Sequence, residues 1–135
     1  DDNMVLAAAK DTDIKLYVST FYQEGGAPAF DDGIKAYING DSAAKDANGG
    51  NDTIAAVTAM GYDAYYVALE AIKAAGPAAV KAALPGVTYQ GVSGAIAFND
   101  IGDAIRDTAF IKTSDNAAGA WMLETQQTGF VEAAG

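Results

Sequence analysis

The longest stretch with one unbroken spacing of apolar positions runs from Asp52 to Gly76, DTIAAVTAMGYDAYYVALEAIKAAG. Ile54, Val57, Met60 or Gly61, Ala64, Tyr65, Ala68, Leu69 and Ile72 recur at three and four residues, the spacing of a helix with one buried face. Asp52 or Thr53 can cap its start, Lys73 sits in its last turn near the negative end of the dipole, and Gly76-Pro77 closes it. The many alanines and Gly61 predict that another backbone packs very close. Tyr62, Asp63 and Tyr66 fall off the apolar stripe and make a polar, aromatic edge.

The flanking patterns are shorter. Asp1 to Lys10 reads as a brief helix with acidic residues first and Lys10 last. Ile14 to Phe21, rich in β-branched and aromatic residues, predicts a strand buried on both faces towards its end, broken by Gln23-Glu24-Gly25-Gly26. Pro28 suits the first turn of a helix to about Ile38, with Phe30, Ile34, Tyr37 and Ile38 inward and Asn39-Gly40 as the stop. Asp41 to Asn51 reads as a polar loop, and Pro77 to Leu84 as a short helix. From Val87 the period changes. Val87 to Phe98 predicts β structure bent at Gly91 and Gly94, Asn99 to Asp103 a hairpin turn, and Ala109–Thr113 and Ala120–Thr125 two further strands about a turn over Ser114–Gly119. The sum is an α/β chain with a hairpin-rich end.

Composition narrows what such a chain can do. At 135 residues it can bury a core of ordinary size, and with half its residues hydrophobic and a mean hydropathy of +0.05 it is not disordered. A net charge of −10 repels phosphate backbones and anionic membranes, which argues against nucleic acid as a partner. Cysteine and histidine are both absent. Ser-His-Asp, Cys-His and thiolate-zinc chemistry are therefore impossible within the chain. It opens on Asp1-Asp2-Asn3 without an initiator Met, as a mature or excised piece would.

The remaining chemistry is carboxylate and tyrosine. Asp46-Ala47-Asn48-Gly49-Gly50 misses the calcium-loop order, Ser93 lacks both the nucleophile-elbow spacing and a base, and neither Gly25-Gly26 nor Gly49-Gly50 has phosphate-loop spacing. No cofactor, metal or catalytic residue is expected. Thr20, Phe21 and Tyr22 are more interesting, because they close a strand at the end where open α/β sheets line their crevices. Tyr62 and Asp63 pair an aromatic face with a carboxylate, a combination suited to an ammonium group.

Four motifs in register carry a family resemblance. Gly61-Tyr62-Asp63-Ala64 with Glu70-Ala71-Ile72-Lys73 resembles the GYDA…EAIKKAG segment of type I periplasmic binding proteins, the branched-chain amino-acid receptors of ABC importers. Ile14 to Phe21 with Gly25-Gly26 resembles the late strand that crosses between their lobes, and Phe30 to Ile38 the helix after it. Gly91 to Asp103 resembles their GvtGkisFdenGd hairpin, with Ala109–Thr113 as the following strand. The resemblance covers nearly the whole chain but only the C-terminal portion of the family's two-lobed, Rossmann-like fold. It implies that residues 20–104 belong mostly to the first lobe, and 1–13 and 107–135 mostly to the second.

The reading that results is part of a non-catalytic receptor. A small polar solute, best an amino acid, binds in a hinged cleft and is delivered to an ABC permease, in a periplasmic or extracellular protein whose parent can carry a lipid anchor. Tyr62, Asp63, Thr20, Phe21 and Tyr22 are the expected ligand-binding residues. The alternative is a sensory or regulatory ligand-binding module of the same fold. A carboxylate-only enzyme such as a glycosidase would need two converging carboxyl groups, which the sequence does not show. With first-lobe strands missing, self-association of the piece is also expected.

Overall fold

The computed structural model describes residues 3–106 and 108–129. The acidic start expected at Asp1-Asp2, Asp107 and residues 130–135 lie outside them. In chain order the elements are α1 (Asn3–Ala9), β1 (Tyr17–Thr20), α2 (Pro28–Gly40), α3 (Ser42–Ala47), α4 (Ala56–Ala75), α5 (Val80–Ala83), β2 (Tyr89–Gly91), β3 (Gly94–Phe98), β4 (Ala104–Ile105), β5 (Thr108–Asp115) and β6 (Ala120–Thr128). Short 3-10 turns over Pro77–Ala79 and Leu84–Gly86 flank α5.

The central helix forms as α4, and Gly76 ends it with φ 76°, its N–H bonded to Ile72 O at 2.7 Å. A residue with a Cβ would be strained there. The start is later than the pattern predicts. Ala55 occupies the cap position without a side-chain bond, while Asp52 accepts from Asn39 Nδ2 at 2.9 Å.

The buried stripe of α4 is also displaced from the predicted one. Ala56, Ala59, Asp63, Val67 and Ala71 face inward, whereas Val57 is 73% exposed and Tyr65 66%. The inward residues are small, apart from Val67 and a carboxylate that finds donors. Large apolar residues dominated the sequence pattern, yet shape and hydrogen bonding decided the rotation. Nor is Gly61 the point of closest approach, since a Cβ there would meet nothing within 4 Å.

Asp41, predicted to open a loop, instead caps α3, its Oδ1 accepting from Ala43 N at 2.8 Å and Ala44 N at 3.1 Å. This is ordinary N-cap chemistry that a polar stretch hides. On α2 the inward Phe30 and Ile38 are buried as expected, but Tyr37 is exposed.

Two three-stranded sheets follow, in the orders β1-β5-β6 and β2-β3-β4, and every strand pair among the described residues is antiparallel. The expected bend over Val87–Phe98 is a tight hairpin: Gly91 pairs with Gly94 and Val92-Ser93 form the loop. Positive φ falls on Gly94, at 108°. The Asn99–Asp103 turn closes as predicted, with Asn99 Oδ1 accepting from Ile101 N and Asp103 N. In the other sheet, β5 and β6 pair over their whole length with a bulge that leaves Glu124 unopposed, Ile111 facing Thr125 and Lys112 facing Leu123. Only Thr20 of β1 is fully buried, so the strand expected to be buried on both faces is an edge strand instead.

The apolar core has two parts on either side of Asp63. Tyr22, Phe30, Ile54, Ala56 and Ala59 form one, where α2 meets the start of α4. Val67, Ala71, Val87 and Ile96 form the other, where α4 meets the β2–β3 hairpin.

Candidate functional site

Asp63 stands between those two clusters with no exposed surface. Its Oδ1 accepts from Val92 N at 2.8 Å, and its Oδ2 from Ser93 N at 2.8 Å and from the Ser93 hydroxyl. The β2–β3 loop thus wraps the carboxylate, and three donors replace the water lost on burial. A Cβ on Gly91 would lie 2.4 Å from Asp63 Cγ, so a side chain at that position would force the carboxylate to shift. Ser93 Oγ in turn accepts from Arg106 Nη1 at 2.7 Å. A guanidinium and a carboxylate are thereby linked through one hydroxyl. The expectation that Asp63 lies on an exposed edge is therefore corrected: in this chain it is the internal anchor of a hairpin.

Tyr22 is likewise inside. Its hydroxyl donates to Asp31 Oδ1, and Asp31 Oδ2 accepts from Gly25 N at 2.7 Å, which pins the Gln23–Gly26 turn to the first turn of α2. Burial, and then the Asp31 carboxylate beside it, push the Tyr22 phenol far above the ordinary tyrosine value. Glu24 in the same turn accepts from Ile54 N at 2.5 Å and pairs with Lys35 at 2.9 Å. One short turn therefore holds β1, α2 and the approach to α4 together.

A row of rings leads outward from Tyr22. Tyr22 meets Phe30 edge-on at 5.6 Å between centroids, Phe30 meets Tyr62 at 5.0 Å, Tyr62 meets Tyr66 at 4.8 Å, and Tyr66 stacks on Tyr89 at 6.0 Å. Tyr62 Oη donates to Tyr66 Oη at 3.4 Å, and this bond, more than burial, raises the Tyr62 phenol above its usual value. Tyr62 is 38% exposed and lines an open cavity of about 520 Å³ with Ala27, Phe30, Gly33, Ile34 and Val92.

Thr20 is buried opposite Phe110. Phe21 is 38% exposed, and its ring carries the Arg106 guanidinium at 5.3 Å. The structure joins four of the five predicted residues through two shared centres. Tyr22 and Tyr62 meet through Phe30, and Phe21 and Asp63 meet through Arg106 and Ser93. Thr20 joins neither centre by side chain. Sequence reasoning missed Asp31, Ser93 and Arg106. The Gly91-Val92-Ser93-Gly94 bend, which puts a hydroxyl at a tight turn, was the available signal for Ser93.

No family model and no curated protein matches this chain. A solved structure does: the leucine-binding protein LivK of Thermotoga maritima, with a TM-score of 0.65 and 24% identity. The chain has the fold of part of that structure, mixed α/β with small antiparallel sheets, which is a portion of the type I periplasmic-binding-protein fold. The match covers 93% of this chain and 34% of the leucine-binding protein, so the chain spans about a third of that structure's length. Among the described residues, no helix is long and apolar enough to cross a membrane.

Proposed function

We propose that this chain is part of a solute-binding protein that holds a small polar solute, best an amino acid, for an ABC permease in the periplasm or outside the cell. The likeness over 93% of the chain to a leucine-binding protein carries the reading. It is supported by the lack of histidine and cysteine, which leaves binding rather than acyl or thiol chemistry. In this reading Phe21 and Tyr62, the exposed members of the five, meet the solute. Thr20, Tyr22 and Asp63 act from beneath, by holding the strand end and the turn that present them.

The proposed division into lobes runs close to the boundary between the two sheets. Residues 20–104, which hold α2 to α5 and most of the β2-β3-β4 sheet, are taken mostly as the first lobe in this reading, and 1–13 and 107–135 mostly as the second. The chain passes between the sheets at Phe21-Tyr22 and at Arg106, where Arg106 rests on Phe21. Those two passages are the hinge of the proposed closure.

Calorimetry tests the reading. Leucine, valine, alanine and glutamate should bind the 135-residue chain weakly or not at all, and bind a protein that adds the rest of a two-lobed receptor in the micromolar range. Such a protein, folded but silent to every amino acid, would sink the proposal. Self-association is proposed as well, because β1 and β6 are edge strands and Met122 and Leu123 are 52% and 47% exposed. Light scattering coupled to size exclusion should show a dimer or larger species at high concentration, and a monomer mass throughout the micromolar range would exclude it.

A further inference from the structure

The apolar residues that set the sequence pattern of α4 form an outer face of their own. Val57, Tyr65 and Ile72 are exposed, and so are Gly61 and Ala64 between them. With the half-buried Ala68 they recur at three and four residues along about 24 Å of helix. The charged residues of α4 lie elsewhere: Asp63 is buried, and Glu70 and Lys73 pair with each other at 2.6 Å. Beside the face runs a groove of about 340 Å³, lined by Met60, Ala64 and Ala68 of α4 and by Leu84 and Phe98. Arg106 also lines it, with its guanidinium already held by Ser93 and Phe21. An apolar face of this extent, continuous with a groove, is the form that protein contacts take.

We propose that a second copy of this chain covers the face, α4 against α4, antiparallel about a two-fold axis between Ala64 and Tyr65. The pairing rests on the self-association proposed above and assigns it to a helix face instead of the strand edges. The face is self-complementary in that register. Val57 of one copy meets Ile72 of the other, Gly61 meets Ala68, and Ala64 meets Tyr65. Large residues thus close the two ends, while Gly61 and Ala68 let the backbones come near. A Cβ at Gly61 would meet nothing within its own copy. Tyr65, held edge-on against Tyr66 at 5.2 Å, lies over Ala64 of the other copy beside its groove, and loses little freedom in doing so. Antiparallel helices also oppose their dipoles, and a face without carboxylates brings two copies of net charge −10 together with least repulsion. About 24 Å of length and two helix diameters of width give roughly 500 Å² per copy, near the floor for a specific interface, so the pair dissociates on dilution. Chain from the rest of a longer receptor is the rival occupant, and it requires no two-fold register.

The chain has no cysteine, so introduced thiols report on this contact alone. Under oxidation by copper phenanthroline, Ala64→Cys should give a disulfide-linked dimer, and so should a chain carrying both Val57→Cys and Ile72→Cys. Val57→Cys by itself should give none, because its two copies would lie about 22 Å apart along the pair. Ala64→Arg, at an exposed helix position, should keep the circular dichroism spectrum and raise the dimer dissociation constant at least about tenfold. Met122→Lys, on the exposed face of β6, should leave that constant unchanged. Crosslinking of Val57→Cys as readily as Ala64→Cys, no crosslink in any variant, or a dimer indifferent to Ala64→Arg would each overturn the pairing. A dimer lost with Met122→Lys but kept with Ala64→Arg overturns it and leaves self-association standing, whereas a monomer throughout the micromolar range overturns both. Solute binding enters no arm, so the outcome stands apart from the calorimetric one.

Discussion

The helical part of the molecule and its three-stranded β1-β5-β6 sheet are stabilised in different ways. Both apolar clusters lie in the helical part and its hairpin, and neither includes a residue of β1, β5 or β6. In those strands the buried residues are polar: Thr20, Lys112 and Thr113. The sheet has the longest ladder in the chain, yet seven of the nine residues of β6, from Met122 to Thr128, are exposed. α1 also touches β6, and its Leu6 and Ala9 are buried. Hydrogen bonding can therefore lay out a sheet that hydrophobic burial does not yet secure, since a ladder exchanges bonds to water for bonds to backbone with modest net gain. Substitutions should be felt strongly around Asp63 and faintly on β6.

The largest effect is expected from Asp63→Ala. It strands Val92 N, Ser93 N and the Ser93 hydroxyl without an acceptor between the two clusters, and should cost about 3–5 kcal/mol in urea unfolding followed by circular dichroism. A loss below about 1 kcal/mol would mean that the turn does not depend on the carboxylate. Gly91→Ala attacks the same contact from the other side and should cost about 1–3 kcal/mol by overpacking. The two losses should be far from additive when combined, because removing the carboxylate frees the space.

Tyr22→Phe is expected next, at about 1–2 kcal/mol, since it leaves Asp31 Oδ1 without its donor. It also carries a pH signature. The folded phenol titrates well above the unfolded one, so between them the folded state binds more protons and stability falls as pH rises past 10, the ordinary tyrosine value. Lys112 works in the opposite sense, because burial lowers its amine below 10.5 and stability from that source rises as pH approaches 10.5. Its contribution is common to both proteins and cancels in the difference. Wild type minus Tyr22→Phe should therefore shrink between pH 9 and 11, and a constant difference would refute the assignment. The smallest effect belongs to the sheet: Leu123→Thr should shift stability by no more than about 0.5 kcal/mol. Amide exchange should agree, with β6 exchanging well before the middle of α4.

The legible part of the fold was what depends on local chemistry. Gly76 as the end of α4, Pro28 opening α2, and the Asn99 turn each rest on conformational limits that the residues carry themselves. The rotation of α4 was not legible, because it depends on a partner 29 residues away: Asp63 turns inward only because Val92 and Ser93 present donors. Large apolar side chains at Val57, Tyr65 and Ile72 pulled the predicted stripe to the wrong side. The candidate site shows the same split. Phe21 and Tyr22 could be picked out as aromatic residues just past a strand end, and Tyr62 as a ring beside the helical stripe, while Asp31 and Arg106 have roles that only the folded chain creates. β1 was misread for a related reason, since burial on both faces requires neighbours that a strand's own composition does not reveal.

The contact between Gly91 and Asp63 also bears on inheritance. Any replacement at Gly91 adds a Cβ where the carboxyl group already is, and a replacement at Asp63 without a carboxyl group leaves at least one of the loop's three donors unanswered. Neither position can drift first without passing through a poorly folded protein. Descendants of this chain should therefore either keep both residues or change both together, with a shorter acceptor at 63 making room for a side chain at 91. Among such descendants the two positions would vary as a pair, and their covariation would be the inherited trace of the buried anchor.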